Sequence, residues 1–451
     1  MSPFANVVAK TTSVAAKKTV RVDNRKTPIP AAKPGTARTV RVTPTKTVKG
    51  TTRTSSPSRG PPSSGPGRSA QQKYTLLGSP FPLRPVFERK TIRKEVVKGK
   101  VWTFEQQQGL GFSNVTINTR MTVIKLSSGG LWINAPIAPT PECISMVKEL
   151  GDVDHIVLPT FAIEHKVFFG PFARNFPGAQ CWVAPKQWSF PLNLPLSFLG
   201  LGFRPVTELD NNRKEMVPWA DEIDYSVNAP PGFSDIGPYT EVAFYHKSSK
   251  TMLVTDCVVY VPRTPLEIVD PELLVDAAAP SPFNPFSPKP ADSPEARQLG
   301  WRRFCLQVLY FGPENLRDPS AGFEAIAEKL IASPVVSVLV FSKVPRAVTE
   351  WIDDVCDAWD FTTIIPCHFA GPVKANARDF KAAFAPIYEL AGRPLGKAQK
   401  GGGLFGMFGG NKGSSAIVEY PQGDLKTLTS LNNLLLKAGA LNSEGPIAED
   451  K

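Results

Sequence analysis

Histidine is scarce in this chain, with four among 451 residues, at positions 155, 165, 246 and 368. Any site built on imidazole therefore has few candidate ligands. Cysteine is sparse as well. The six residues (Cys143, Cys181, Cys257, Cys305, Cys356 and Cys367) include no Cys-x-x-Cys pair, which excludes zinc-finger spacing, dithiol redox motifs and a disulfide-dense scaffold. In a long chain without a secretory leader, such thiols are expected to be reduced and intracellular. No run of about 18 apolar residues occurs, so no transmembrane segment is expected. The nearest approach, 188–203, is uncharged but broken by Pro191 and Pro195. It reads as a loop packed on the body, a lid, or a peripheral membrane contact.

Acid is almost missing from the beginning of the chain. Residues 1–87 hold 16 Lys+Arg against Asp23 alone, a local net of +15, whereas the whole carries +12. The remainder, with 36 basic and 39 acidic residues, is close to neutral. A basic face for nucleic acid is therefore not expected on the body. The arm is rich in Thr, Ser, Pro and Ala, lacks apolar periodicity, and should be disordered over 1–90 because it cannot bury enough surface to offset its ordering entropy. Its composition is that of an organelle transit peptide and linker; a retained basic tail or a nucleic-acid arm are the alternatives.

Beyond the arm, a body is expected from about Val97 to residue 440. Strand alternation appears at 101–104 and 121–125, and SSGG at 127–130 leads to a strand at 131–136. Thr140 should cap an amphipathic helix that ends near Gly151. Residues 155–159 read as a buried strand emptying into a loop with Glu164 and His165, followed by a short helix at 170–176 and a strand at 180–184. A hairpin at 241–255 ends at Asp256. Prolines at 261–300 suggest an inserted linker. Helices are expected at 301–311, 322–332, 348–359, 376–391 (bent at Pro386) and 424–438, strands at 335–341 and 363–366, and a Gly-rich linker at 397–415. The second of these strands delivers Cys367 and His368. The layout predicts a mixed α/β fold with helices covering the sheets.

Three buried strands thus deliver ligand-type residues at their ends. Glu164, His165, Asp256 and His368 make a set of two nitrogens and two carboxylates, suited to one Zn, Fe or Mn ion. Cys257 and Cys367 flank these residues and are either soft substitutes or small buried hydrophobes. His155 begins a strand at the end away from the loop, and His246 sits beside the hairpin turn, so both read as structural.

This arrangement resembles the metallo-β-lactamase fold, an αββα sandwich of mixed sheets with helices on the outer faces and metal at a sheet edge. The family's His-x-His-x-Asp-His motif, laid on TFAIEH (160–165), places Thr160 and Ala162 where two histidines belong, Glu164 at the aspartate and His165 at the last histidine. The next family histidine falls near Gly237 and is absent, while Asp256 and His368 match the carboxylate and the final histidine. The resemblance implies a lost first metal site and a chemically competent second one. TRMTVIKLSSGGLWINAPIAPTPE, LPTFAIEHKVFFGPF, EVAFYHKSSKTMLVTD, VLVFSKVPRAVTEWIDD and IIPCHF are similar to the plant, algal and bacterial family called domain of unknown function 4336. Plant members of that family look like chloroplast proteins, and the stroma is the expected address.

Three functions remain open. One is a plastid hydrolase with a single metal, acting on an ester, thioester or phosphate. Another is a non-catalytic plastid binding or assembly protein on a degenerate site. A redox role for iron beside Cys257 or Cys367 is a third. The partner is a small molecule or a protein; no motif recognises a nucleotide, a sugar or nucleic acid.

Overall fold

The computed structural model describes residues 72–74, 83–84, 89–110, 115–187, 195–230, 239–280, 287–395 and 420–437. All of them lie in the compact unit Gly65–Lys451. Most of the 1–90 arm, the 397–415 linker and the segment around Gly237 lie outside the described residues.

One sheet contains β1 (Leu83–Arg84), β2 (Ile92–Val97), β3 (Val101–Leu110), β4 (Thr116–Lys125), β5 (Leu131–Asn134), β6 (Val153–Leu158), β7 (Gln180–Val183) and β8 (Val206–Glu208). Its order is β1-β3-β4-β5-β6-β7-β8, with β2 also on β3. The strands up to β5 pair antiparallel, and β5 to β8 run parallel. Parallel neighbours need crossovers. Two of these are helical, α1 (Pro141–Lys148) and α2 (Ile163–Ala173). The other sheet holds β9 (Ile223–Asn228), β10 (Glu241–His246) and β11 (Thr251–Val254). A separate ribbon pairs β12 (Val258–Tyr260) with β13 (Leu330–Ala332). Then β14 (Thr363–Pro366) and β15 (Val373–Lys374) complete the second sheet, in the order β15-β14-β11-β10-β9.

Period-two alternation decides how the layers stack. Val101, Ile124, Trp132, Val157 and Trp182 of the first sheet share one core with Tyr225, Val242, Phe244, Leu253 and Ile365 of the second. Their strand neighbours point the other way. Phe104, Val123, Ile133, Ile156 and Val183 pack with Cys143 and Val147 of α1 and with Phe169 and Phe172 of α2. On the far side, Ala243, Tyr245, Met252 and Ile364 pack under α7 (Pro345–Ala358), α8 (Ala377–Ala383) and α9 (Ala385–Leu390). The result is the αββα sandwich. A further core joins α3 (Pro271–Ala277), α4 (Pro294–Tyr310) and α5 (Ser320–Ile326) to the β12–β13 ribbon. Between the sheets, Trp219 lies 4.6 Å from Trp182 and 6.0 Å from Trp132, centroid to centroid, in edge-to-face contacts. Burying each such ring contributes on the order of 1.5–3 kcal/mol.

Several sequence expectations are corrected. The body opens before Val97: β2 pairs with β3, and the buried Arg89 donates to Gln107 O at 2.8 Å and to Gln108 Oε1 at 2.6 Å. Residues 261–300 are not a plain linker. They hold α3 and the start of α4, and two of the prolines that suggested a linker, Pro271 and Pro294, sit at first helical positions behind Asp270 and Ser293 as N-caps. Proline suits that position because the amide it lacks would go unbonded there anyway. Residues 335–341 are not a strand. They form α6 (Pro334–Leu339) and its end, with Val336 and Val340 facing one core and Val335 and Val338 another. Both pairs have helical spacing, but apolar residues on two sides hide the period. Residues 322–332 divide into the end of α5 and β13, and the closing helix is α10 (Lys426–Lys437). The expected helix at 376–391 is two pieces, α8 and α9, which meet at Phe384 just before Pro386.

Among the described residues of 188–203, Phe198 and Phe203 are exposed. No helix of the described residues is long and apolar enough to cross a membrane.

Candidate metal centre

The site lies where β6, β11 and β14 end. After Leu158 the chain is held to the second sheet: Val242 N donates to Pro159 O at 2.7 Å, and Thr160 forms an isolated bridge with Glu241. Thr160 Oγ1 accepts from Ala162 N at 3.1 Å, turning the chain directly into α2. Glu164 and His165 are therefore not on a loop, as expected from the sequence; they occupy the first turn of α2. Its start carries no side-chain cap, and the helix is apolar almost all round, so neither of the usual start signals is present.

Asp256 and His368 are set by register. β11 and β14 pair in parallel with Val254 opposite Pro366, so each ligand-type residue stands two positions past the same rung. Cys367 N donates to Thr255 O at 3.3 Å and extends that alignment to the site. His368 is then fixed from the first sheet. Its Nδ1 lies 2.8 Å from Asn118 O, Phe369 N donates to Asn118 Oδ1 at 2.7 Å, and Asn118 Nδ2 donates to Phe369 O at 3.0 Å. The Arg120 guanidinium donates to the carbonyls of Pro366 and Phe369 and pairs with Glu105 at 3.0 Å. This clamp supports the turn, in which Phe369 has φ 55°, a conformation costly for a bulky residue.

The four predicted residues converge. One ligand atom each from Glu164, His165, Asp256 and His368 lies within 4.8 Å of all the others. His368 Nε2 is 3.1 Å from Asp256 Oδ1 and 3.3 Å from His165 Nε2. Electrostatics tie the groups together. Burial, with the nearby Asp256 charge, pushes the Glu164 carboxyl up to about 7. Burial and then His368 bring His165 down to about 3, so its ring is neutral. Burial opposes the charge on Asp256 and on His368 most strongly of any single cause, but their hydrogen bond and the neighbouring charges together outweigh it, holding Asp256 low and His368 high.

The other histidines lie elsewhere. His155 Nδ1 accepts from Trp182 Nε1 at 3.4 Å, and its ring stacks edge-on to Trp219. His246 Nδ1 meets Ser249 Oγ at 2.6 Å and closes the β10–β11 turn. Cys257 and Cys367 are buried and are not among the four converging residues; burial raises both thiols well above the ordinary range. All six cysteines are free thiols.

Sequence reasoning missed Glu241, Asn118 and the Arg120–Glu105 pair. Asn118 and Arg120 share one face of β4 with Thr116 and Thr122, so their spacing alone gave no signal. Glu241 left none beyond opening a strand.

A mixed α/β sandwich with imidazoles and carboxylates gathered where strands of both sheets end defines a protein of metallo-β-lactamase-like fold. The description "Domain of unknown function (DUF4336)" matches residues 98–322 and 316–385, and the chain belongs to that family. No curated protein matches it in sequence. Among solved structures it is similar in overall build to the metal-soaked Flv1 flavodiiron core from Synechocystis sp. PCC6803, at 9% identity and TM-score 0.36. That likeness covers 67% of this chain and 61% of the other, under two thirds of its length. A metallo-β-lactamase from Pontibacter korlensis is similar at 11% identity over 65% of this chain and 98% of that one, with TM-score 0.33. The metallo-β-lactamase FIM-1 from Pseudomonas aeruginosa, in its mono-zinc form, is similar at 11% identity over 67% and 97%, also with TM-score 0.33.

Proposed function

We propose that this protein is a plastid stromal hydrolase that uses one divalent ion, Zn, Fe or Mn, held by Glu164, His165, Asp256 and His368. One observation carries the reading: one ligand atom from each of Glu164, His165, Asp256 and His368 lies within 4.8 Å of all the others. Asn118 O can only accept, so the hydrogen on His368 lies on Nδ1. The Nε2 of a neutral His368 ring then points its lone pair at the Asp256 carboxylate and at His165 Nε2. A cation among these atoms relieves the opposition, and the Asn118 carbonyl behind the ring is the outer partner that metal-bound histidines usually have. The donor set fits Zn, Fe or Mn, and atoms within 4.8 Å of one another need only small side-chain movement to reach bonds of about 2.0–2.2 Å. When bound, such an ion supplies Lewis acidity to an ester, thioester or phosphate oxygen and lowers the pKa of water. The chain's own part is to hold the donors, with a neutral His165 and an ionised Asp256.

A second reading has its own observation. A proton on His368 Nε2 serves Asp256 and His165 together, and the raised pKa of His368 favours it. The protein is then a non-catalytic plastid binding or assembly protein whose cluster is closed by an imidazolium. Elemental analysis after dialysis separates the two. About one equivalent of Zn, Fe or Mn, lost in His165→Ala and in His368→Ala, supports the hydrolase, as does turnover of aryl ester, thioester or phosphate substrates. No metal in the wild-type protein, with each alanine variant destabilised by only about 1 kcal/mol, the scale of a lost hydrogen bond, overturns it. The plastid address rests on the basic, acid-poor arm. A fluorescent fusion of residues 1–90 that stays in the cytosol overturns that part.

A further inference from the structure

The geometry points to Glu241 as a positioning residue that ties two of the three ligand-bearing segments into one frame. Glu241 is fully buried at the start of β10. Its Oε1 accepts from Thr255 N at 2.7 Å and from Asp256 N at 3.2 Å, and its Oε2 accepts from Tyr239 Oη at 2.7 Å. The two amides belong to the residue that carries a metal ligand and the residue before it. They lie beyond the last paired position of β11, Val254, so no ladder partner receives them. Without Glu241 this buried turn has two unsatisfied donors and freedom to rotate Asp256.

The backbone of the same residue works in the opposite direction. Glu241 bridges Thr160, its neighbour Val242 bonds Pro159 O, and Phe161 N donates to Thr240 O at 3.4 Å. That stretch leads directly into the first turn of α2, with Glu164 and His165. A displacement of Glu241 therefore moves the α2 ligands through its main chain and Asp256 through its side chain. His368 is held separately, through Asn118. A buried carboxylate satisfied by three donors is otherwise a costly choice at a strand start, since carboxylates are almost never fully buried without such partners. Here its acceptor oxygen is used to set the direction of a ligand.

The inference rests on the metal reading above, and Co(II) binding to the full chain tests both separately. The readouts are the dissociation constant and the visible d–d spectrum, with circular dichroism to confirm folding. Wild-type protein should bind about one Co(II). Glu241→Leu, which removes the acceptor, should weaken binding about 10- to 100-fold, the usual loss for an outer-shell partner, and shift the spectrum. Glu241→Gln keeps an acceptor oxygen for both amides but loses the charge. It should bind several-fold more weakly, with the band positions unchanged. Wild-type affinity and spectrum in both variants overturn the positioning role while leaving the metal site standing. Should Glu241→Leu fail to fold, the Gln variant decides alone, and unchanged affinity in it is the overturning result. No Co(II) binding by the wild-type protein overturns both.

Discussion

The His155 ring stands between Trp182 and Trp219 and accepts a hydrogen from the former, a role open only to the neutral imidazole. Burial lowers its pKa, against a smaller pull from Asp154. The unfolded chain therefore binds the proton first, near the ordinary 6.5. The stability His155 contributes is present in full above that value and is lost as pH falls through it toward the folded value. Chemical unfolding of wild type and His155→Phe at pH 7.5 and 5.5 should show a smaller acid loss in the variant; parallel losses would remove this account. Arg120 is a sharper case. Its guanidinium is buried against Glu105 and holds the turn below His368. Replacement by Met leaves Glu105 an unpaired buried charge and should cost about 3–5 kcal/mol in urea unfolding. A loss under 1 kcal/mol would show that the clamp is not structural. The four converging residues were legible because histidine is so rare that strand-end positions left few choices. Glu241, Asn118 and Arg120 were not, because residues that act through hydrogen bonds to main chain carry no spacing of their own.

Among the elements, a chemical start signal located α1 but not α3 or α4, whose capped starts fall among the prolines that read as a linker. Thr140 begins α1, its Oγ1 accepting from Cys143 N at 3.1 Å, with Pro141 in the first helical position. Thr140→Ala should destabilise by about 0.5–2 kcal/mol in thermal or urea unfolding, the usual loss for an N-cap. No measurable change would mean that the helix is held by its packed face alone. By contrast, α2 lacks a capping side chain and α6 is apolar toward two cores, so tertiary burial decides both helices and local pattern does not. The strands β10, β11 and β14 were legible because short β-branched or aromatic runs stop at a turn or at proline. Their mutual order was not, because pairing register is a long-range property.

At the scale of the molecule, the first sheet extends further toward the N-terminus than strand alternation suggested. Thr91 N donates to Glu142 Oε2 at 2.8 Å, and Arg89 lies over the Phe168 ring at 4.9 Å. A chain beginning at Gln72 should melt at the temperature of the full chain, whereas one beginning at Lys98 loses β2 and should melt several degrees lower. Equal melting of the two would make β2 an accessory strand.

The parallel rung between Val254 and Pro366 has a consequence for the time course of folding. His165 and His368 are 203 residues apart in sequence, and the Asn118 bond to Phe369 spans 251. Loop closure over such distances precedes any reward from the contacts it permits, so these pairings form late. A metal-sensitive signal during refolding should therefore lag behind the recovery of helical signal, and the ion would report that the last long-range rung has closed.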